Sequence, residues 1–145
     1  MTTDPHDLQR FVDAQDRGAT YEGALAELQA GRKQSHWMWF VFPQLAGLGT
    51  SAMARTYAIG SLAEARAYLA HPVLGPRLLE CARALAEHGD LPAGRILGEI
   101  DAVKLRSSMT LFARAAAPEE QAFGEVLNRF YDGVADARTE QLLAG

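Results

Sequence analysis

Apolar positions in this chain recur mostly every three or four residues, the spacing that lines one face of an α-helix. Asp4 and Pro5 form a helix-start signal, a capping side chain before a proline at the first helical position. Leu8, Phe11, Val12 and Gln15 continue at helical spacing until Gly18. After Thr20, a second candidate cap, Tyr21, Ala24, Leu25 and Leu28 fall at i, i+3, i+4 and i+7, and Gly31 can end that helix. The two predict a helical hairpin.

In the stretch RKQSHWMWFVFPQ, Ser35 can cap a short helix over 36–41, because Pro43 pushes Phe42 out of the helical region. A buried strand is the alternative on composition; the shortness of the run and its helical surroundings favour the helix. LAGLGTS, with Gly47 and Gly49, reads as a loop, and 51–59 as another short helix. SLAE at 61–64 has the form of a capping box and opens a helix that ends near His71 and Pro72. Leu74, Leu78, Cys81, Ala82 and Leu85 form the next stripe, ending around Gly89, and LPAG reads as a turn. A helix then runs from about Leu97 or Gly98 to Ala115. Pro118, Glu119 and Glu120 open another, with Phe123, Val126, Leu127, Phe130 and Tyr131 on one face, and a last short helix covers roughly 136–143. Sustained apolar–polar alternation, an Asn-Gly hairpin signal and internal repeats are all missing from the sequence. The pattern predicts one all-α domain over 1–145, a compact bundle of six to eight helices.

Composition narrows the function classes. With 145 residues, 48% hydrophobic and 22% charged, the chain suits one folded domain with a sizeable core. A net charge of −4, with Arg32-Lys33 as the one dense basic group, disfavours nucleic acid as a partner. Cys81 is the sole cysteine, which leaves no intramolecular disulfide and no zinc-site spacing and fits a reducing, cytoplasmic setting. The opening MTTDPHDLQR has no secretory pattern, and no run of roughly 18 apolar residues is present, so neither export nor membrane insertion is expected.

Candidate chemistry concentrates in two segments. On a helical wheel of EIDAVKLRSSMTLF, Leu105, Met109 and Phe112 form one apolar edge and Ile100 and Leu111 another, with Asp101, Lys104 and Ser108 between them. Polar groups inside an apolar arc are partly buried if the arc faces the core, and a buried charge needs a partner. Asp101 and Lys104 can pair with each other, with the first segment or with a ligand: either they form an internal ion pair with Ser108 bonded to a backbone carbonyl, or the helix is shifted so that the triplet sits at the rim, or Lys104 holds an anionic or carbonyl group that Asp101 orients or deprotonates. In the first segment His36, flanked by large aromatics, is a candidate general acid or base, against a plain hydrogen-bonded role. Trp37 and Trp39 cannot face the same way on a helix, so at least one is expected in the core. Gln44 can present its amide to a cleft or stabilise the turn, and Arg32 and Lys33 most simply complement the end of the preceding helix. Ser107-Ser108 lacks the Gly-x-Ser-x-Gly setting of a hydrolase, His6 with Asp13 and Asp16 makes no convincing metal set, and no cofactor motif is present.

Three stretches, GRKQSHWMWFVFPQLAGLG, MARTYAIGSLAEARAYLAHPVLGPRL and GEIDAVKLRSSMTLF, resemble in that order segments of the bacterial family called domain of unknown function 1810. The resemblance runs from about Leu8 to Leu142, and the Ala- and Arg-rich make-up looks like that of a mycobacterial or other actinobacterial member. It implies a predominantly helical single domain and no established activity. The name calpastatin sometimes given to such proteins does not fit, since that inhibitor is a long disordered chain of repeats. The motif positions that carry over are Ser35, His36, Trp37, Trp39, Pro43 and Gln44, and Asp101, Lys104, Ser107, Ser108 and Thr110. The D-x-x-K-L pattern before an amphipathic helix is also distantly similar to helical N-glycosidase-like proteins acting on ADP-ribose derivatives, an analogy of pattern and fold class alone.

These observations lead to one main expectation, a cleft shared by the two segments that binds or processes a small anionic or heterocyclic metabolite. His36, Asp101 and Lys104 are its candidate catalytic residues, and Ser35, Trp37, Trp39, Gln44, Ser107 and Ser108 its candidate ligand contacts, with no metal. The alternative is a non-catalytic helical module that binds a protein partner the sequence does not name.

Overall fold

Ser51, Ser61 and Asp136 cap three of the helices with their side chains. The structure, a computed structural model, describes residues 4–145, so the first three residues of the stretch read for a leader lie outside it. Helix α1 (Gln9–Asp16) begins a turn later than the sequence suggests, because the Asp4 carboxylate reaches forward to accept from the backbone N–H of Leu8 at 2.8 Å and Gln9 at 2.9 Å. A 3₁₀ turn over Arg17–Ala19 leads into α2 (Thr20–Ala30). Thr20 does not cap it; its hydroxyl donates back to the Arg17 carbonyl, and Ala19 is the capping position. Gly31, at φ +75°, ends α2 as expected.

Four further helices follow: α3 (Met38–Val41), α4 (Ala52–Thr56), α5 (Leu62–Ala70) and α6 (Leu74–Ala86). Ser61 caps α5 as read, accepting from Glu64 N at 3.1 Å, whereas the Glu64 carboxylate bonds Gly60 N rather than that of Ser61. His71 does more than mark a boundary: its Nδ1 accepts from the first N–H groups of the next helix, at Val73 and Leu74. Only the first half of LPAG is a turn: Pro92 takes the capping position and Ala93 and Gly94 open a further helix, α7 (Ala93–Leu97), before α8 (Glu99–Ala115), α9 (Ala122–Tyr131) and α10 (Ala137–Ala144), which Asp136 caps. Among the described residues the expected all-α bundle is borne out: they hold ten α-helices, seven of them eight residues or longer. The other three, α3, α4 and α7, have four or five residues each, and of these only α7, too short to show a stripe, was not expected. The only strand-like feature among these residues is an isolated parallel bridge between Leu45 and Ile59.

Helix α8 is the central element and packs against α5, α7, α9 and α10. Its Leu105, Met109, Leu111 and Phe112 are fully buried. A seam of rings crosses the core from α1 to α9, with centroid distances of 5.1 Å for Phe11–Tyr68, 5.3 Å for Tyr68–Phe112 and 5.9 Å for Phe112–Phe123. Burying each such side chain contributes about 1.5–3 kcal/mol. Ile100 does not form an apolar edge, since it is 75% exposed along with Val103 at 65%; the wheel assigned it by spacing, but α7 and α9 leave that face of the first turn uncovered. Cys81 is buried as expected, and burial pushes its thiol up to about 12.

One buried polar chain crosses this core. The Gln15 amide donates to the Phe40 carbonyl at 2.7 Å and to the Tyr68 hydroxyl at 3.3 Å, and its oxygen accepts from Arg77, which also pairs with Asp16 at 2.9 Å. It ties α1 to α3, α5 and α6. Among the described residues no helix is long and apolar enough to cross a membrane.

Close approach of α5 and α6 requires a glycine at the start of α6, because a Cβ on Gly75 would collide with the Leu69 carbonyl oxygen. Gly75→Ala is expected to destabilise the protein by about 2 kcal/mol through this overpacking, outweighing a helix-propensity gain of at most ~1 kcal/mol. An unchanged melting temperature would show that α5 yields freely.

Candidate functional site

The first motif is built on a carboxylate from the helix before it. Glu27, on the last turn and a half of α2, accepts from Gln34 N at 2.7 Å, Ser35 N at 2.9 Å, Ser35 Oγ at 2.7 Å and Trp37 Nε1 at 2.9 Å. Burial pushes this carboxyl up, but the hydrogen bonds from Gln34, Ser35 and Trp37 outweigh it and bring it down to about 2. Ser35 is thus not the cap of α3; its hydroxyl serves Glu27, and Trp37 takes the capping position. Trp37 is fully buried, while Trp39 is only partly buried, as expected of two indoles on opposite sides of one helix. His36 is exposed.

Pro43 stops α3 as read, with Phe42 at φ −125°, ψ 72°. The chain next to it is pinned by two backbone bonds, Ile59 N to Gln44 O at 2.9 Å and Ala46 N to Ile59 O at 2.8 Å. Between these anchors, residues 47–58 loop out and carry α4. A cleft of about 120 Å³ opens there, lined by Met38, Trp39, Phe42 and Gln44 of the first motif, by Arg55 and Tyr57, and by Lys104 of α8. The two signature segments therefore meet in space, and Trp39, Gln44 and Lys104 share a cleft.

Charge at the cleft comes from an unequal triad. Asp101 pairs with Lys33 at 3.0 Å and with Lys104 at 3.6 Å. Lys33 does not complement the end of α2, because its ammonium reaches across to α8 and lies 5.1 Å from the Trp37 ring centre; its side chain is only 9% exposed. The Lys104 ammonium lies 5.5 Å from the centre of the Trp39 ring. Two lysines share one carboxylate, which leaves one positive charge, and the exposed Arg55 adds another on the same cleft.

Ser107, Ser108 and Thr110 lie deeper in α8 and are buried. Ser107 donates to the Val103 carbonyl at 3.4 Å, and Thr110 donates to Arg106 O and accepts from Asp136 N, so both serve the helix and its junction with α10. Ser108 is the buried member of the expected polar triplet, and its hydroxyl has no hydrogen-bond partner among the described residues. Neither serine lines the cleft.

Arg10 fixes the far wall. Its guanidinium donates to the carbonyls of His6, Asp7, Thr56 and Ala58 and, at 3.0 Å, to the Glu64 carboxylate, which uses all five of its N–H groups. Tyr57, between two of those carbonyls, is thereby held against the cleft. Arg10, Glu27, Lys33, Arg55 and Tyr57 are the residues that sequence reasoning did not assign to the site. Only Lys33 carried a usable signal, as half of a dense basic pair. Among the described residues no three His, Cys, Asp or Glu side chains gather as a metal set.

Comparison with known proteins agrees with this architecture. The chain superimposes on the crystal structure of the conserved hypothetical protein Rv1873 from Mycobacterium tuberculosis with a TM-score of 0.93 and 51% identity, covering 98% of this chain and 99% of that one. No curated protein matches it. Residues 5–143 match the model of the family described as protein of unknown function (DUF1810), and the chain belongs to that family.

Proposed function

We propose that the cleft between α3, the 44–58 segment and Lys104 binds a small anion, or the anionic group of a small metabolite. The observation that carries this reading is the pair of cations, Lys104 and Arg55, on a small cleft whose other walls are largely aromatic and aliphatic. The single carboxylate beside it, Asp101, is already shared with Lys33. A space of about 120 Å³ equals roughly four waters at ~30 Å³ each. It admits a phosphate or carboxylate with a few further atoms, so a larger ligand would leave its ring at the mouth, against Trp39. Ser35 and Trp37, engaged by Glu27, and His36, outside the lining, take no part in this proposal.

Lys104→Ala is expected to abolish the melting-temperature rise that saturating inorganic phosphate or a phosphorylated metabolite gives the wild type. At a hundredfold excess over the dissociation constant that rise reflects about 2.7 kcal/mol of stabilisation. A folded Lys104→Ala protein that shifts as the wild type does would exclude the site. One observation favours the other reading, a protein-interaction module: Ile100 and Val103 stand exposed side by side on α8. That reading calls for no phosphate response in either protein.

A further inference from the structure

The geometry points to Asp101 as an internal competitor for the cleft's anion, with Lys33 as the residue that holds this competitor back. The inference rests on the anion-binding reading of the cleft and assigns a role to two residues outside its lining.

The two halves of the triad differ. Lys33 and Asp101 are in close contact at 3.0 Å, and the lysine is packed over Trp37 with its side chain 9% exposed, so this half is short and enclosed. Lys104 and Asp101 are 3.6 Å apart, and the Lys104 side chain is 27% exposed, so this half is longer and wetter. Lys104 also lines the cleft beside Trp39. Its ammonium therefore has two alternative partners, the Asp101 carboxylate and an anion in the cleft. When an anion arrives, Lys104 can turn to it while Asp101 keeps Lys33, so no buried charge is stranded and only the looser contact is given up.

Opposite signs follow for the two charges behind the cleft. The Asp101 carboxylate opposes an incoming anion both by occupying Lys104 and by like-charge repulsion, whereas Lys33 neutralises that carboxylate and frees Lys104. Removing the charge of Asp101 should strengthen anion binding while it weakens the fold. Removing that of Lys33, which never touches the cleft, should weaken anion binding. A purely structural salt bridge would lower stability in both variants and move affinity the same way, or not at all.

The experiment is calorimetric titration of inorganic phosphate into the full chain and its Asp101→Asn and Lys33→Gln variants, with melting temperatures recorded alongside. Asp101→Asn is expected to bind phosphate roughly fivefold tighter than the wild type and Lys33→Gln roughly fivefold weaker, the ratio given by a coupling of about 1 kcal/mol. Equal affinities in wild type and Asp101→Asn would overturn the competitor role while leaving the anion site intact. Phosphate binding by Asp101→Asn alone would support the competitor role and remove anion binding from the wild type's function, and binding by none of the three would overturn both. Should Asp101→Asn fail to fold, Lys33→Gln decides, and an unchanged affinity there counts against the inference.

Discussion

Glu27→Ala is expected to lower the free energy of unfolding by about 3–4 kcal/mol, measured by urea denaturation at neutral pH. The carboxylate collects four donors from Gln34, Ser35 and Trp37, and the indole N–H among them belongs to a fully buried side chain that cannot turn to water. The two backbone N–H groups and the serine hydroxyl are more accessible and recover part of their loss by hydration, which is why the figure stays below the sum of four charged hydrogen bonds. The same carboxylate should make the protein acid-sensitive. Its folded value of about 2 lies below the ordinary 4.5, so its stabilisation is complete above pH 4.5 and is lost as the pH falls from there toward 2. A difference of that size corresponds to at most about 3 kcal/mol, and solvent screening at this partly exposed carboxylate reduces it. Stability of Glu27→Gln should therefore be nearly flat across that window where the wild type falls. If wild type and Glu27→Gln decline in parallel, the acid response arises elsewhere.

The second large effect is expected at Arg10. Arg10→Ala removes the partner of Glu64, whose side chain is 9% exposed, together with the donors to four carbonyls, and should cost about 3–5 kcal/mol. Arg10→Lys should recover little, because an ammonium offers three donors around one point and cannot reach five acceptors spread over the fork. Since the Thr56 and Ala58 carbonyls are held on either side of Tyr57, loss of Arg10 should also weaken phosphate binding at the cleft it does not line. Two readouts, denaturation and titration, separate these consequences. A variant that melts lower yet binds phosphate as the wild type does would show that the Tyr57 wall holds without the arginine.

Local signals were legible in the sequence where a boundary depends on one residue and its immediate neighbours. Gly31, Pro43, Ser61 and Asp136 stand at or beside the expected helix ends, because capping and proline sterics act within a turn. The alternation of Trp37 and Trp39 and the burial of Ser108 were legible from periodicity alone. What escaped were side chains whose partners are distant in sequence. Glu27 reads as an ordinary polar position on an amphipathic helix, and nothing local announces that the next segment folds back onto it. Lys33 is assigned to the nearest helix end until α8 brings Asp101 within 3.0 Å. Arg55 sits on a helix too short for a stripe and Tyr57 at its C-terminal cap, so their place on the cleft follows from the Leu45–Ile59 bridge and not from any pattern of their own. Ile100 failed for the opposite reason: a wheel gives an angle, and only the neighbouring helices decide whether that angle is covered.

The position of α8 in the chain has a consequence for how the molecule is made. This helix supplies Leu105, Met109 and Phe112 to the centre of the core and Lys104 to the cleft, yet the 98 residues before Glu99 must be synthesised first. At about 5–20 residues per second, those residues take roughly 5–20 s to make, so the earliest helices wait longest for the element they surround and α7 hardly waits at all. Until α8 is made, Tyr68 lacks the Phe112 ring it packs against and Lys33 lacks its carboxylate, while the aromatic motif is held by Glu27 and by the Gln15 amide of α1. The nascent amino-terminal half is thus an apolar surface waiting for its centre, and the Glu27 contacts, being local, are among those that can form while it waits.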